Sequence, residues 1–162
     1  MPPLWVSLCL AAATLTTGLT AGLFLVFAHS VMPGLSTLAD TAYLTAFQRI
    51  DAAIANPWMG LSFVGSPVLT AVALVGQLGS PSVAVPLAVA LALVVTGVVI
   101  TGVVHLPINA RAQAAAPGFE GAEALRAQFE DRWVPWNVVR TATAALAVLA
   151  LAWALLAAGA GA

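Results

Sequence analysis

The feature that most constrains this chain is where its charges are not: residues 1–39, 52–110 and 141–162 contain no Asp, Glu, Lys or Arg. A helix needs about 20 predominantly apolar residues to cross the hydrocarbon of a bilayer, and each of these stretches can supply one. The middle stretch is long enough for two and is broken by the turn-forming run Gly79-Ser80-Pro81-Ser82, so it reads as a pair of spans joined by a tight hairpin. The expectation is an all-α integral membrane protein. It is a four-helix bundle forming a single transmembrane domain over 1–162, with spans at about 5–29, 57–77, 83–105 and 135–157.

Composition agrees and excludes other classes. The chain is 62% hydrophobic and 7% charged, against roughly 25% charged residues in a soluble domain. Five Arg, no Lys and a net charge of −1 leave no electrostatic footprint for phosphate, so nucleic acid is not a partner. Met1 to Trp5 carries no basic residue and the apolar run that follows outlasts a signal-peptide core, so the first span is expected to be retained. Cys9 is the lone cysteine, inside that span, and forms neither a redox pair nor an intramolecular disulfide.

Four crossings put residues 32–56 and 106–134 on the same side, and every Arg, Asp and Glu lies in or beside those two connections. Short Arg-bearing loops tend to stay cytoplasmic. The expected location is a bacterial plasma membrane with both termini outside, the lipid bilayer being the first partner and a homo-oligomer remaining open. In the first connection Tyr43, Phe47, Ile50 and Ile54 recur at helical spacing, and Thr37 with Asp40 has the spacing of a capping box. In the second, Ala122, Leu125, Phe129 and Trp133 form a stripe, while Glu120, Glu123, Arg126, Glu130 and Asp131 stay wet. Both read as amphipathic connecting helices on one side of the bundle. They either cover a site or simply anchor to the membrane surface.

Within the spans, Pro67 removes a backbone donor and predicts a kink. Gly18 and Gly22 mark a face for close helix contact, and His29 falls on the same stripe, so it is expected to point inward. Gly97, Thr101 and His105 follow at i, i+4 and i+8 on the third span. The second span opens with Asn56-Pro57-Trp58, and on the fourth Asn137, Arg140, Thr141 and Ala144 share a face with Trp136 beside them. All four helices thus bring polar or aromatic groups to one end. Arg140 is the most costly of these to bury. It either serves a site, reaches the headgroups, or pairs with Asp51, Glu130 or Asp131. The histidines either carry chemistry or simply satisfy hydrogen bonds at helix ends, and Trp58, Trp133 and Trp136 fit an aromatic belt, with Trp5 on the opposite side. No metal site is expected: two histidines without a third ligand at short spacing are a weak signal. Haem or a metal held between His29 and His105 is the alternative. Phosphate-binding loops, nucleophile elbows and HExxH helices are missing from the sequence.

Four segments in order, Phe27-Ala-His-Ser-Val-Met-Pro-Gly-Leu35, Ile54-Ala-Asn-Pro-Trp58, His105-Leu-Pro-Ile-Asn109 and Arg132-Trp-Val-Pro-Trp-Asn-Val-Val-Arg-Thr141, resemble the signature series of the anthrone oxygenase-like family of small membrane proteins. The resemblance implies a four-helix membrane enzyme that oxidises a polycyclic anthrone to an anthraquinone with molecular oxygen and no recognised cofactor. The family pattern more often has Ser or Cys at the position of His29 and Asn at that of His105, so the histidines are poor candidates for a family-wide mechanism. Asn56, Pro107, Asn109, Trp136, Asn137, Arg140 and Thr141 carry over more directly.

The expected chemistry is proton abstraction from the anthrone by His29 or His105, with Arg140, Asn109 and Asn137 holding the resulting anion. Trp136, with Asn56, Trp58 and Thr141, would bind an apolar aromatic small molecule. Two other classes compete: a quinone- or haem-linked membrane redox protein, and a non-enzymatic small membrane subunit.

Overall fold

The computed structural model describes residues 3–116 and 120–160. It contains five helices and, among the described residues, no strand. Four are long and apolar enough to cross a membrane: α1 (Leu4–Ser36), α3 (Pro57–Val75), α4 (Pro81–Ala114) and α5 (Ala122–Ala160). The remaining helix, α2 (Asp40–Ile54), is the amphipathic segment of the first connection. Proline sets two of the starts. Pro57 and Pro81 stand in the first turn of α3 and α4, where a missing N–H costs nothing and the fixed φ already suits a helix.

The four long helices form a closed ring in the order α1, α3, α4, α5, with α2 laid on α5 and the far end of α4. Two cores divide the bundle. At the hairpin end, Leu10, Ala13, Ala73, Leu87, Ala90, Leu151 and Ala154 meet, and the alanines let the backbones approach closely. The approach is tightest at Gly76, where a Cβ would stand 2.6 Å from Cγ2 of Val6. Val6 is fully buried and β-branched, so it cannot yield and the position requires glycine. At the charged end the core is aromatic instead. Phe27, Phe129 and Trp133 pack there against Tyr43 and Phe47 of α2.

Three expectations are corrected. The second connection holds no separate amphipathic helix. α5 begins at Ala122 and runs through Pro135 without interruption, because its buried stripe never breaks. Ala122, Phe129, Trp133, Asn137, Arg140, Ala144, Ala147, Leu151 and Ala154 follow one another at helical spacing. Pro135 deprives only the carbonyl of Asp131 of its partner, and that residue is exposed where water can serve. The capping box also does not form. Thr37 Oγ1 donates to the carbonyl of Gly34, and Ala39 is the cap residue of α2 without a side-chain bond.

The third correction concerns the packed face of α1. It is Val6, Leu10, Ala13, Thr17, Thr20 and Phe24, while Gly22 is exposed. The glycines did not mark the contact; Ala13, Thr17 and Thr20, with Val6, Leu10 and Phe24 filling the ring's centre, did. Pro67 lies inside α3, which continues past it to Val75.

One device recurs on α1 and α4. Each widens into a single π-helical turn, at Phe27–Val31 and at Thr101–His105. A proline follows in each case, Pro33 and Pro107. A proline ring presses on the carbonyl four residues back and leaves it unbonded, and a wider turn relieves both. Such turns are frequent at functional sites.

Candidate active site

The charged end of the ring encloses a cavity of about 550 Å³, inside the range typical of small-molecule sites. Its walls are mostly aromatic and aliphatic: Phe24 and Phe27 from α1, Phe47 and Ile54 from α2, Met59 and Phe63 from α3, Trp133 from α5. Its exposed lining residues include Asn56 and Gly60 at the start of α3 and Leu106 and Gln113 on the last turns of α4.

Arg140 reaches into this space from α5 and is only 7% exposed. Its Nε donates to Oδ1 of Asn137 at 2.8 Å, and a terminal nitrogen lies 3.4 Å from the hydroxyl of Thr101. The guanidinium carbon stands 4.1 Å from the ring centroid of Phe24 and 5.2 Å from that of Trp133. Among the described residues the ion pairs are those of Arg126, with Asp40 and Glu130. Among the described residues Arg140 pairs with no carboxylate; the aromatic faces and two neutral oxygens offset its desolvation.

His105 is the second buried polar group of the cavity, 1% exposed, with its ring edge-on to Trp133 at 5.1 Å between centroids. Neither ring nitrogen has a hydrogen-bond partner among the described residues. A buried polar group in that condition is uncommon and calls for an explanation; a ligand accepting or giving a proton there supplies one.

The mouth is closed by a polar network between α2 and the end of α4. Asn109 Nδ2 donates to Oδ1 of Asp51 at 2.7 Å and its Oδ1 accepts the indole N–H of Trp133 at 3.0 Å. Gln113 donates to Oδ2 of Asp51 at 2.9 Å, and Gln48 donates to the carbonyl of Ala112 at 2.7 Å. Asn56 lines the same cavity and caps α3, accepting from the Met59 amide at 3.1 Å. Farther along α2, burial and then the nearby Glu130 carboxylate push the Tyr43 phenol well above its ordinary pKa, so it stays neutral under Arg126.

Of the residues read from sequence, the cavity brings together Asn56, His105, Asn109 and Arg140. Asn137 is buried behind them, donating to the carbonyl of Phe24 at 3.1 Å, and the Thr141 hydroxyl donates to the Asn137 carbonyl at 2.7 Å. Both support the wall rather than line it. His29 does not arrive. It is exposed, with Nδ1 2.6 Å from the Ser30 hydroxyl, because Phe24 and Phe27 occupy the inward face of α1.

A His29–His105 pair is therefore not formed in the cavity. Among the described residues no group of three or more His, Cys, Asp or Glu side chains comes together either. Trp58 and Trp136 are 79% and 41% exposed and lie outside the cavity, as belt residues do. The aromatic wall of Phe24, Phe27, Phe47 and Phe63 was missed; the i, i+3 step from Phe24 to Phe27 was the available signal.

The sequence profile of the family described as Anthrone oxygenase matches residues 1–150. The chain belongs to the anthrone oxygenase family. The match covers the first three spans and most of the fourth, so every residue of the cavity falls inside it. In the comparisons with curated proteins and with solved structures, nothing matches the chain.

Proposed function

We propose that this chain oxidises a planar, anthrone-type polycyclic aromatic at its central CH₂ to the anthraquinone, using dioxygen, in the cavity at the charged end of the ring. The observation that carries the reading is Arg140: a buried guanidinium with no carboxylate partner among the described residues, facing a cavity whose walls are aromatic. Such a group is costly in a membrane helix unless it serves a ligand. An anthrone provides a flat apolar body for Phe24, Phe47 and Trp133 and one oxygen that becomes anionic during reaction.

The steps balance without an outside reductant. His105 accepts a proton from the CH₂, and Arg140 holds the enolate oxygen that forms. The electron-rich carbon bonds to dioxygen to give a peroxide. His105 returns the first proton to the outer peroxide oxygen and then takes the second C–H proton as the O–O bond breaks; C=O forms, and the departing hydroxide receives that second proton from His105 and leaves as water. One O₂ and one anthrone thus give one anthraquinone and one water. The low-dielectric surroundings of Arg140 strengthen its hold on the anion.

The four spans hold the protein in a bilayer, with the charged connections on the cytoplasmic side. Substrate enters from the lipid, where an apolar polycycle partitions, between the exposed lining residues Gly60 and Leu106. The test is turnover of a hydroxylated anthrone by the protein in lipid nanodiscs, with anthraquinone absorbance and an oxygen electrode read together. Equal consumption of O₂ and anthrone is expected, unaffected by catalase. A rate no higher than autoxidation in empty nanodiscs would sink the reading.

A further inference from the structure

A second, much smaller cavity lies one layer deeper in the bundle, walled by all four spans. Thr17 and Thr20 of α1, Ser66 of α3, Gly97 of α4, and Thr143 and Ala144 of α5 surround it. Its volume is about 20 Å³ for the centre of a water-sized sphere, where a single water needs roughly 10–15 Å³. It holds one small molecule. Phe24 and Phe63 line both cavities and meet edge to face at 6.4 Å, so an aromatic partition separates the chamber from the large cavity.

The chemistry of the walls decides what fits. The hydroxyls around the chamber have their hydrogens engaged elsewhere. Thr17 donates to the carbonyl of Ala13 at 2.7 Å, Thr20 to that of Thr16 at 3.0 Å, and Thr143 to that of Arg140 at 2.9 Å. Because the Thr17 hydrogen is used, Ser66 donates to Thr17 across their 2.6 Å contact. The surface left facing the space is almost wholly apolar. A buried water requires two to four polar partners, and small apolar cavities stay dry and take xenon or other apolar guests.

We infer that this chamber is a binding site for a small apolar gas, and specifically that it stores the dioxygen consumed in the adjoining cavity; the second half rests on the oxygenase reading above. Dioxygen is small and apolar, and it dissolves better in the bilayer than in water. A site behind Phe24 and Phe63 holds it beside the anthrone without competing for the space the rings occupy. Crossing the partition needs only rotation of an aromatic side chain.

Gly97 provides the lever. A Cβ there would stand 3.8 Å from Oγ1 of Thr143, an ordinary contact, so Gly97→Ala is accommodated while Gly97→Val fills the chamber. The first experiment is xenon pressurisation of crystals of the full chain grown in lipid. One xenon is expected in the chamber of the wild type, less in Gly97→Ala, whose methyl group takes part of the space, and none in Gly97→Val. The second is steady-state kinetics with varied O₂: Gly97→Val should raise KM for O₂ about tenfold, a 1.4 kcal/mol loss, with KM for the anthrone unchanged.

An empty chamber in the wild type overturns the gas site whether or not the protein turns over anthrone. An unmoved KM for O₂ in folded Gly97→Val overturns the storage role. Xenon in the chamber of a protein that oxidises no anthrone would support the site and sink the oxygenase reading alone.

Discussion

Asn137 and Arg140 stand one turn apart on α5 and are joined by a 2.8 Å hydrogen bond from Nε to Oδ1. The same amide donates its Nδ2 to the carbonyl of Phe24 at 3.1 Å, so one side chain ties the guanidinium to α1 and sets which of its nitrogens face the cavity. Asn137→Asp keeps the acceptor for Nε but removes the donor to Phe24 and places a carboxylate beside the Arg140 guanidinium. The anion of the substrate must then compete with a permanent partner. Turnover is expected to fall on the order of 10²-fold, chiefly in kcat. An unchanged kcat would show that the orientation and free charge of Arg140 do not matter.

Arg140 itself gives a paired test of function and stability. Arg140→Gln retains hydrogen-bonding capacity for Asn137 and Thr101 but removes the charge, and should abolish turnover. Because a buried unpaired cation is unfavourable to fold around, the same variant should melt at or above the wild-type temperature. Arg140→Lys should not restore activity, since a flexible ammonium lacks the planar fork that bonds Asn137 while presenting its other nitrogens. Gln or Lys variants with full activity would remove the residue from the mechanism.

The two histidines should behave in opposite ways. His29 is exposed and bonded only to its neighbour Ser30; His29→Ala should shift stability by no more than about 0.5 kcal/mol and leave turnover intact. Neither ring nitrogen of His105 has a hydrogen-bond partner among the described residues; His105→Asn removes the base, and kcat should drop about 10²–10⁴-fold. A His105→Asn variant running at the wild-type rate would assign proton abstraction elsewhere and leave Arg140 as the essential group.

What was legible in the sequence follows from which forces are local. The spans were readable because bilayer hydrocarbon imposes one requirement on every residue it touches, and a charge-free run of fixed length meets it. The inward face of α5 was readable for a similar reason: Asn137, Arg140 and Ala144 repeat at helical spacing. The face of α1 was not. Its polar and glycine residues fall on several sides of the helix, and the choice among them was made by Phe27 filling space against Trp133 and Phe24 against Arg140.

That choice is tertiary, so His29 was misplaced and the aromatic wall overlooked. Pro135 misled in the opposite direction. It reads as a helix boundary, yet a buried stripe from Ala122 to Ala154 outweighs one lost backbone bond.

Arg126 fastens α2 over the cavity, and its loss should loosen that helix alone. It donates to the carbonyls of Ser36, the last residue of α1, and of Leu38 in the turn that follows, each at 2.8 Å, and to Oδ1 of Asp40 at 2.9 Å. Glu130 lies 3.3 Å from its Nε, and its guanidinium carbon stands 4.6 Å from the ring of Tyr43. An exposed ion pair alone is worth about 0–1 kcal/mol. Here the same side chain also satisfies helix-end carbonyls that have no other donor in the α1 ladder, so Arg126→Met should cost about 1–3 kcal/mol.

The effect should be local, because the hairpin-end core of Leu10, Leu87 and Leu151 lies at the other end of the bundle. Hydrogen exchange in nanodiscs should show the amides of α2 exchanging faster while those at the hairpin end are unmoved. Higher salt should weaken the wild-type latch in the same direction by screening its Asp40 and Glu130 contacts. If α2 exchanges at the same rate with and without the guanidinium, the aromatic packing of Tyr43 and Phe47 holds the cover by itself.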